Sequence, residues 1–441
     1  MRKHSLTLLT LAVTALGPAA LPAEASPGQT PDPAGPASRP AQPRPPAQPA
    51  QPAQPGWQRV SYGPVSFEAP ASWPVRDLAA HPELCARLDL PVVYLGSQGP
   101  GADCPAHAVG RPQAVQIQPL GAAPQAAVGA TAPARVGGQP ARVDPNAAEM
   151  GQRVVALERP GALLTVASAA DPALEPHLLG SVRVSGAARL VAPPSTPNAL
   201  AATLGTAPKT YTGKGFDTCT APSTRSMSAW KASPYRAVGI YLGGTNRACG
   251  DGNLSPSWIS SVVGAGWRLI PIYVGRQAPC ATQRNLVHIN PSIATTQGER
   301  AAIDAATRAS HFRLAHGSPI YFDMEGYGRS PSCISTVLRF LNGWTTRLHR
   351  HGYRSGVYSS TSSGITDLVK VYNSRTVHRP DYIWFAHWTG KATTRDPVLP
   401  STAWPSHRRI GQYRGGHDER HGAVTINIDN DQVDSLVVGL R

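Results

Sequence analysis

The chain has 441 residues, too many for one ordinary domain and enough for two or three. Charged residues make up only 15%, while 45 Pro and 42 Gly accompany 41% hydrophobics, which excludes a coiled coil or a collagen-like rod and indicates low-complexity stretches beside globular ones. Lys and Arg number 41 against 26 Asp and Glu, a formal net charge of +15 that suits anionic surroundings such as nucleic acid, lipid head groups or wall polymers.

At the start, Arg2 and Lys3 precede an apolar run over residues 6–16, and the small-residue site Ala23-Glu24-Ala25 follows. This is the pattern of a secretory signal peptide over residues 1–25, cleaved after Ala25. Pro18 and Pro22 cut the run too short for a membrane anchor, and no later stretch is long and apolar enough to span a bilayer. Export makes disulfides of the six cysteines. Cys85 and Cys104 stand alone in the first half and pair with each other; Cys219, Cys249, Cys280 and Cys333 allow three connectivities, of which loop proximity favours Cys219 with Cys249 and Cys280 with Cys333. Zinc is the rival reading, but no C-x-x-C is present, and Cys104 to His107 has no second ligand pair at finger-like spacing, so no metal is expected.

Residues 26–56 carry 11 Pro, which fix φ and remove amide donors, so this stretch reads as an extended linker. Residues 57–190 contain short β-type runs broken by Gly and Pro turns, a small α+β accessory domain without any cluster of acids, histidines or a nucleophile with its base. A second Ala/Pro/Thr-rich linker covers 191–212.

From residue 213 to 441 strand runs alternate with helical ones. Strands are expected over 214–219, 237–244, 269–275, 319–327, 355–359, 382–388, 409–413 and 423–429, and helices over 223–232, 255–265, 297–315, the stripe of Val337, Phe340, Leu341, Trp344 and Leu348, and 365–372. Eight strands with five strand-helix units imply an α/β fold, a largely parallel, TIM-like (β/α) barrel. The rival, an open doubly wound sheet, would normally carry G-x-G-x-x-G, which is absent.

In such a barrel the chemistry belongs at the C-terminal ends of the strands. Asp217 ends the first strand, Asp323 and Glu325 end the fourth, and Asp429 falls in the last run. The spacing of two sets Asp323 and Glu325 on one face. Two neighbouring buried acids drive one pKa upward, which suits the division between a protonated acid and an ionised partner in glycoside hydrolysis. Tyr241, Tyr273, Tyr358, Trp384 and Trp388 also end strands and are expected to line a cleft for sugar rings; His387, beside Trp388, reads as structural. No G-x-S-x-G, H-E-x-x-H or Walker-type loop occurs, no cofactor is expected, and export without a basic run interleaved with aromatics argues against nucleic acid.

The segments GFDTCTAPS, YLGG, IPIYVG, YFDMEGY, GVYSS and IGQY…IDNDQVD together resemble the secreted glycoside-hydrolase-like family catalogued as domain of unknown function 1906, over residues 214–441. That family is similar to the family 25 lysozyme-type muramidases. The resemblance implies a barrel of eight strands and five helices, with Glu325 as general acid, Asp323 holding the substrate N-acetyl group or stabilising the oxocarbenium ion, and Asp217 and Asp429 orienting them. It further implies attack by the substrate's own acetamido oxygen, one of the exceptions to the two-carboxylate scheme. The expected function is that of a secreted or wall-associated hydrolase of peptidoglycan or another cell-wall polysaccharide. The alternative is a catalytically silent wall-polysaccharide-binding protein that keeps the barrel. The sequence carries no signal for an oligomeric state.

Overall fold

In a computed structural model of the protein, the described residues are 56–99, 101–110, 113–122, 131–145, 151–169, 171–186, 189–190, 205–250, 252–283 and 285–441. The expected signal peptide, the proline-rich linker up to residue 55 and residues 191–204 of the second linker lie outside them.

In the first folded region the alternation of apolar residues becomes strands: β1 (Trp57–Tyr62), β2 (Val65–Pro70), β3 (Val75–Asp77), β4 (Val93–Leu95), β5 (Ala114–Pro119), β6 (Ala132–Val136), β7 (Gln139–Val143), β8 (Gln152–Leu157) and β9 (Ala162–Ala167), then helix α1 (Leu174–Ser181) and β10 (Arg183–Val184). They form a three-stranded sheet, β1-β2-β10, and a seven-stranded sheet, β3-β4-β5-β9-β8-β7-β6. Val65, Phe67, Val115, Ile117, Leu164 and Leu178 are fully buried in the core between the sheets and α1. The connection from β4 to β5 is long, and its Cys104 is bonded to Cys85 on the connection between β3 and β4.

The second region is a closed barrel of β11 (Lys209–Asp217), β12 (Ala237–Gly243), β13 (Arg268–Tyr273), β14 (Pro319–Asp323), β15 (Arg354–Ser360), β16 (Tyr382–Ala386), β17 (Arg408–His421) and β18 (Val424–Val437), in that order. Helices α2 (Thr224–Ala229), α3 (Pro256–Gly264), α4 (Ala294–His311), α5 (Pro331–Arg350) and α6 (Gly364–Lys370) follow the first five strands in turn, as the five expected strand-helix units. Their starts are set by local chemistry. The hydroxyls of Ser223, Ser255 and Ser330 accept from the third amide of α2, α3 and α5, and Pro256 and Pro331 occupy a first turn that has no use for their missing N–H. On α5 the stripe Val337, Phe340, Leu341, Trp344 and Leu348 is buried against the barrel, and Arg347, His349 and Arg350 sit at its carbonyl end.

The barrel departs from an all-parallel sheet at its seam. β18 runs antiparallel to both β17 and β11. Only Gly422 and Ala423 separate β17 from β18, both at positive φ (53° and 66°), the conformation of a two-residue hairpin turn, whereas a parallel connection needs a dozen residues or more. Both strands are 14 residues long, so the hairpin projects beyond the neighbouring strand ends. Inside the barrel, Tyr241, Ile270, Ile272, Tyr321, Trp384, Ile410 and Val433 fill the lumen.

Candidate active site

Asp217 is the last residue of β11 and pairs in register with Asp429 of the antiparallel β18. Because β18 enters the barrel from the hairpin, Asp429 lies at the same rim as the ends of the parallel strands. Asp323 closes β14, and Glu325 stands two residues beyond it. The geometry therefore brings Asp217, Asp323, Glu325 and Asp429 to one end of the barrel, joined by Asp431. Gly239, opposite Asp217 on β12, makes room: a Cβ there would lie 2.5 Å from the Cβ of Asp217 and 3.1 Å from the Trp384 indole.

Polar partners hold this cluster. Gln412 donates from Nε2 to Asp217 Oδ2 at 3.0 Å, and its Oε1 accepts from the Tyr358 hydroxyl and the Trp388 indole, each at 2.9 Å. Trp384 Nε1 donates to Asp431 Oδ1 at 2.9 Å. Gln277 fixes the turn after β14, its Nε2 donating to the Asp323 carbonyl and its Oε1 accepting from the Glu325 amide, both at 2.8 Å. No hydrogen-bond donor reaches either carboxylate oxygen of Asp323, a side chain in a residue only 1% exposed.

The aromatic residues divide. Tyr241 and Tyr358 border the carboxylates, and Trp388, 64% exposed, presents its ring at the rim. Trp384 is buried in the lumen, edge-on to Tyr321 and Tyr358. Tyr273 does not reach the cleft: its hydroxyl donates to Asp304 on α4 and its ring packs with Phe322 and Trp344 in the layer between barrel and helices. Trp384 and Tyr273 thus belong to the packing. His387 pairs with Asp396. The barrel cysteines form Cys219–Cys249 and Cys280–Cys333, the expected neighbours.

One site residue comes from the other folded region. The connection between β4 and β5 lies across the barrel mouth. From this connection Gly110 N–H donates to Asn246 O at 2.9 Å and Ala106 N–H to Asn427 Oδ1 at 2.6 Å, while from the preceding connection, between β3 and β4, Leu88 N–H donates to Ala248 O at 2.6 Å. Val109 packs on the lumen cluster. Between these anchors His107 enters the site, with Nε2 2.9 Å from Glu325 Oε1 and Nδ1 3.0 Å from the Tyr241 hydroxyl. The sequence signal for it was faint, since nothing near Cys104 links this histidine to acids more than 200 residues away. Asp431 and Gln412, also absent from the expected set, lie in the IDNDQVD and IGQY segments that carry the resemblance.

These contacts divide the protons. Burial raises Asp323 well above the usual carboxyl range, and the neighbouring Glu325 charge raises it further. Burial would raise Glu325 too, but the His107 imidazolium outweighs it and holds this carboxyl below its ordinary value. His107 in turn is raised well above the usual imidazole range, the Glu325 charge overriding a burial that acts the other way. Burial lifts Asp217 to about 6, with Gln412 restraining it, and lifts Asp429 to about 8 with help from the Asp217 charge. Asp431 is raised well above its ordinary value, again first by burial. These shifts favour the ionised form of Glu325 and the protonated form of Asp323.

Known structures with a similar architecture include an uncharacterized protein of B. stearothermophilus, 17% identical over 50% of this chain and 95% of its own, with a TM-score of 0.38. The Tat-secreted protein Rv2525c of Mycobacterium tuberculosis is 14% identical over 51% of this chain and 96% of its own, with a TM-score of 0.37. The modular autolysin LytC of Streptococcus pneumoniae is 16% identical over 52% of this chain and 47% of its own, with a TM-score of 0.34. No curated protein matches the chain significantly. The three disulfides fit an extracellular protein, and among the described residues no helix is long and apolar enough to cross a membrane. The model of the Rv2525c-like, glycoside hydrolase-like domain matches residues 228–433, a span that begins in α2 and ends in β18. Over that span the barrel is similar to the Rv2525c-like, glycoside hydrolase-like domain family.

Proposed function

We propose that the protein is secreted, resides at the cell wall, and hydrolyses peptidoglycan or another wall polysaccharide at the barrel mouth. The observation that carries this reading is the convergence of Asp217, Asp323, Glu325 and Asp429 from three strands on one buried rim, bordered by Tyr241 and Tyr358. Glu325 is the general acid, protonating the leaving glycosidic oxygen. Asp323 passes its proton to Glu325 when His107 withdraws and, then ionised, holds the substrate's N-acetyl group and stabilises positive charge at the anomeric carbon. Asp217 and Asp429 orient the pair, and the face of Trp388 supports a sugar ring. An ionised Glu325 cannot donate, so turnover requires His107 to withdraw; without the imidazolium, burial raises the Glu325 pKa toward that of a working acid.

The test is reducing-sugar release from purified peptidoglycan by the mature protein, its Glu325→Gln variant and its His107→Ala variant, all shown to be folded. We expect Glu325→Gln to lose about 100-fold or more of the rate, and His107→Ala to match or exceed the parent. No release by any folded form, from peptidoglycan or from other wall glycans, overturns the hydrolase reading. A second reading, a wall-binding protein without turnover, is favoured by His107 standing over Glu325. It predicts saturable polysaccharide binding that survives Glu325→Gln.

A further inference from the structure

The ion pair between His107 and Glu325 leaves part of the site's geometry unaccounted for. His107 Nε2 is 2.9 Å from Glu325 Oε1, yet the two are off the hydrogen-bond line and neither atom has a hydrogen-bond partner. Both oxygens of the buried Asp323 are likewise without one. One atom each from His107, Asp323 and Glu325 lies within 4.8 Å of the others. Atoms that hydrogen-bond point at each other, whereas ligands of one ion stand about 3 Å apart and point at a common centre, as bond lengths near 2 Å require.

The remote edge of the imidazole agrees. Nδ1 is 3.0 Å from the hydroxyl of Tyr241, which burial keeps a neutral phenol. Donation from Nδ1–H to that oxygen leaves a lone pair on Nε2, the tautomer a metal takes, and outer partners of this kind commonly orient ligating histidines. Charge points the same way. Asp217, Asp323, Glu325, Asp429 and Asp431 are gathered in one place, and among the described residues none of them has an ion pair to lysine or arginine; the single imidazole is their counter-charge.

The geometry points to a divalent transition-metal site made of His107, Asp323 and Glu325, completed only where the β4–β5 connection meets the barrel. One imidazole nitrogen with two carboxylate oxygens suits zinc, with manganese as the competitor. The spacing of Cys104 and His107 offers no such site by itself, because the remaining ligands come from β14 and the turn after it. A bound ion would fasten the covering segment to the barrel and keep Glu325 from acting as an acid. The site is independent of the hydrolase reading, since the ligands would bind an ion whether or not the cleft turns over a glycan.

The test uses the untagged mature protein, stripped with EDTA, dialysed, and titrated with zinc chloride and with manganese chloride by calorimetry, with metal content measured by mass spectrometry. We expect one equivalent of zinc per chain. His107→Ala, His107→Gln and Asp323→Asn should each weaken binding about 10-fold or more, Tyr241→Phe less, and His387→Ala, at the pair with Asp396, not at all. Near-UV circular dichroism identifies variants that keep the fold, and the two substitutions at His107 guard against loss of either one. Sub-stoichiometric binding by the folded parent, or unchanged affinity in a folded His107 variant, overturns the proposal. Because the readout is ion binding, a lack of glycan hydrolysis leaves the result intact.

Discussion

Gly239 shows how closely the carboxylates are fitted. A methyl group there meets the Asp217 Cβ at 2.5 Å, Ile272 Cδ1 at 3.0 Å and Trp384 at 3.1 Å, and none of these can swing away, because Asp217 is tied to Gln412 and Trp384 to Asp431. Gly239→Ala should therefore cost about 1–3 kcal/mol, as overpacking of a filled core does, seen as a lower urea midpoint at unchanged slope. An unaltered midpoint would mean that the rim yields freely. At this scale the acids were readable in advance, because a carboxylate at the end of an apolar strand stands out against its neighbours. The aromatic residues were not. Both faces of a barrel strand are apolar, one toward the lumen and one toward the helices, so nothing in Ile272-Tyr273 tells which of the two points inward.

Among the elements, the helices were the most legible, since serine caps and a one-sided apolar stripe are local signals. The last two strands were harder. The expected runs 409–413 and 423–429 are parts of two 14-residue strands, and the far part of β17, residues 414–421, is polar, alternating between half-buried and exposed positions. That polar stretch has its own order: Glu419 accepts from Tyr235 and Asn430 and lies 2.9 Å from His417 and 3.0 Å from His421. Although burial acts to raise it, these partners hold the Glu419 carboxyl down at about 2, against an ordinary 4.5. A folded value below the unfolded one means that the unfolded chain takes up the proton first, so the stabilisation is complete above about pH 4.5 and disappears as pH falls toward 2. The melting temperature of the parent should exceed that of Glu419→Gln at pH 6, and the gap should close over that window. A gap constant from pH 6 to pH 2 would remove the carboxylate from the account.

At the scale of the whole molecule, the role of the first folded region could not be read from its own residues. Its chemistry is one histidine on a long connection, and only the closed barrel gives that histidine acids to meet. That connection is held by Ala106 and Gly110 on Asn427 and Asn246, and the Cys85–Cys104 disulfide ties it to the preceding β3–β4 connection, which Leu88 fastens to Ala248. Segments that open locally are those with few buried apolar contacts and amides satisfied by neighbouring loops, which describes residues 101–110 rather than β14. Hydrogen exchange in EDTA-containing buffer should therefore show residues 101–110 opening well before the barrel strands. His107→Ala, by removing the imidazole that faces Glu325, should speed exchange there about 10-fold, which corresponds to ~1.4 kcal/mol, while residues 84–89 and β14 keep their protection. Faster exchange in β14 as well would make His107 a support of the barrel itself; unchanged exchange at 101–110 would mean that the backbone anchors alone hold the segment, and withdrawal of His107 would then have to break them.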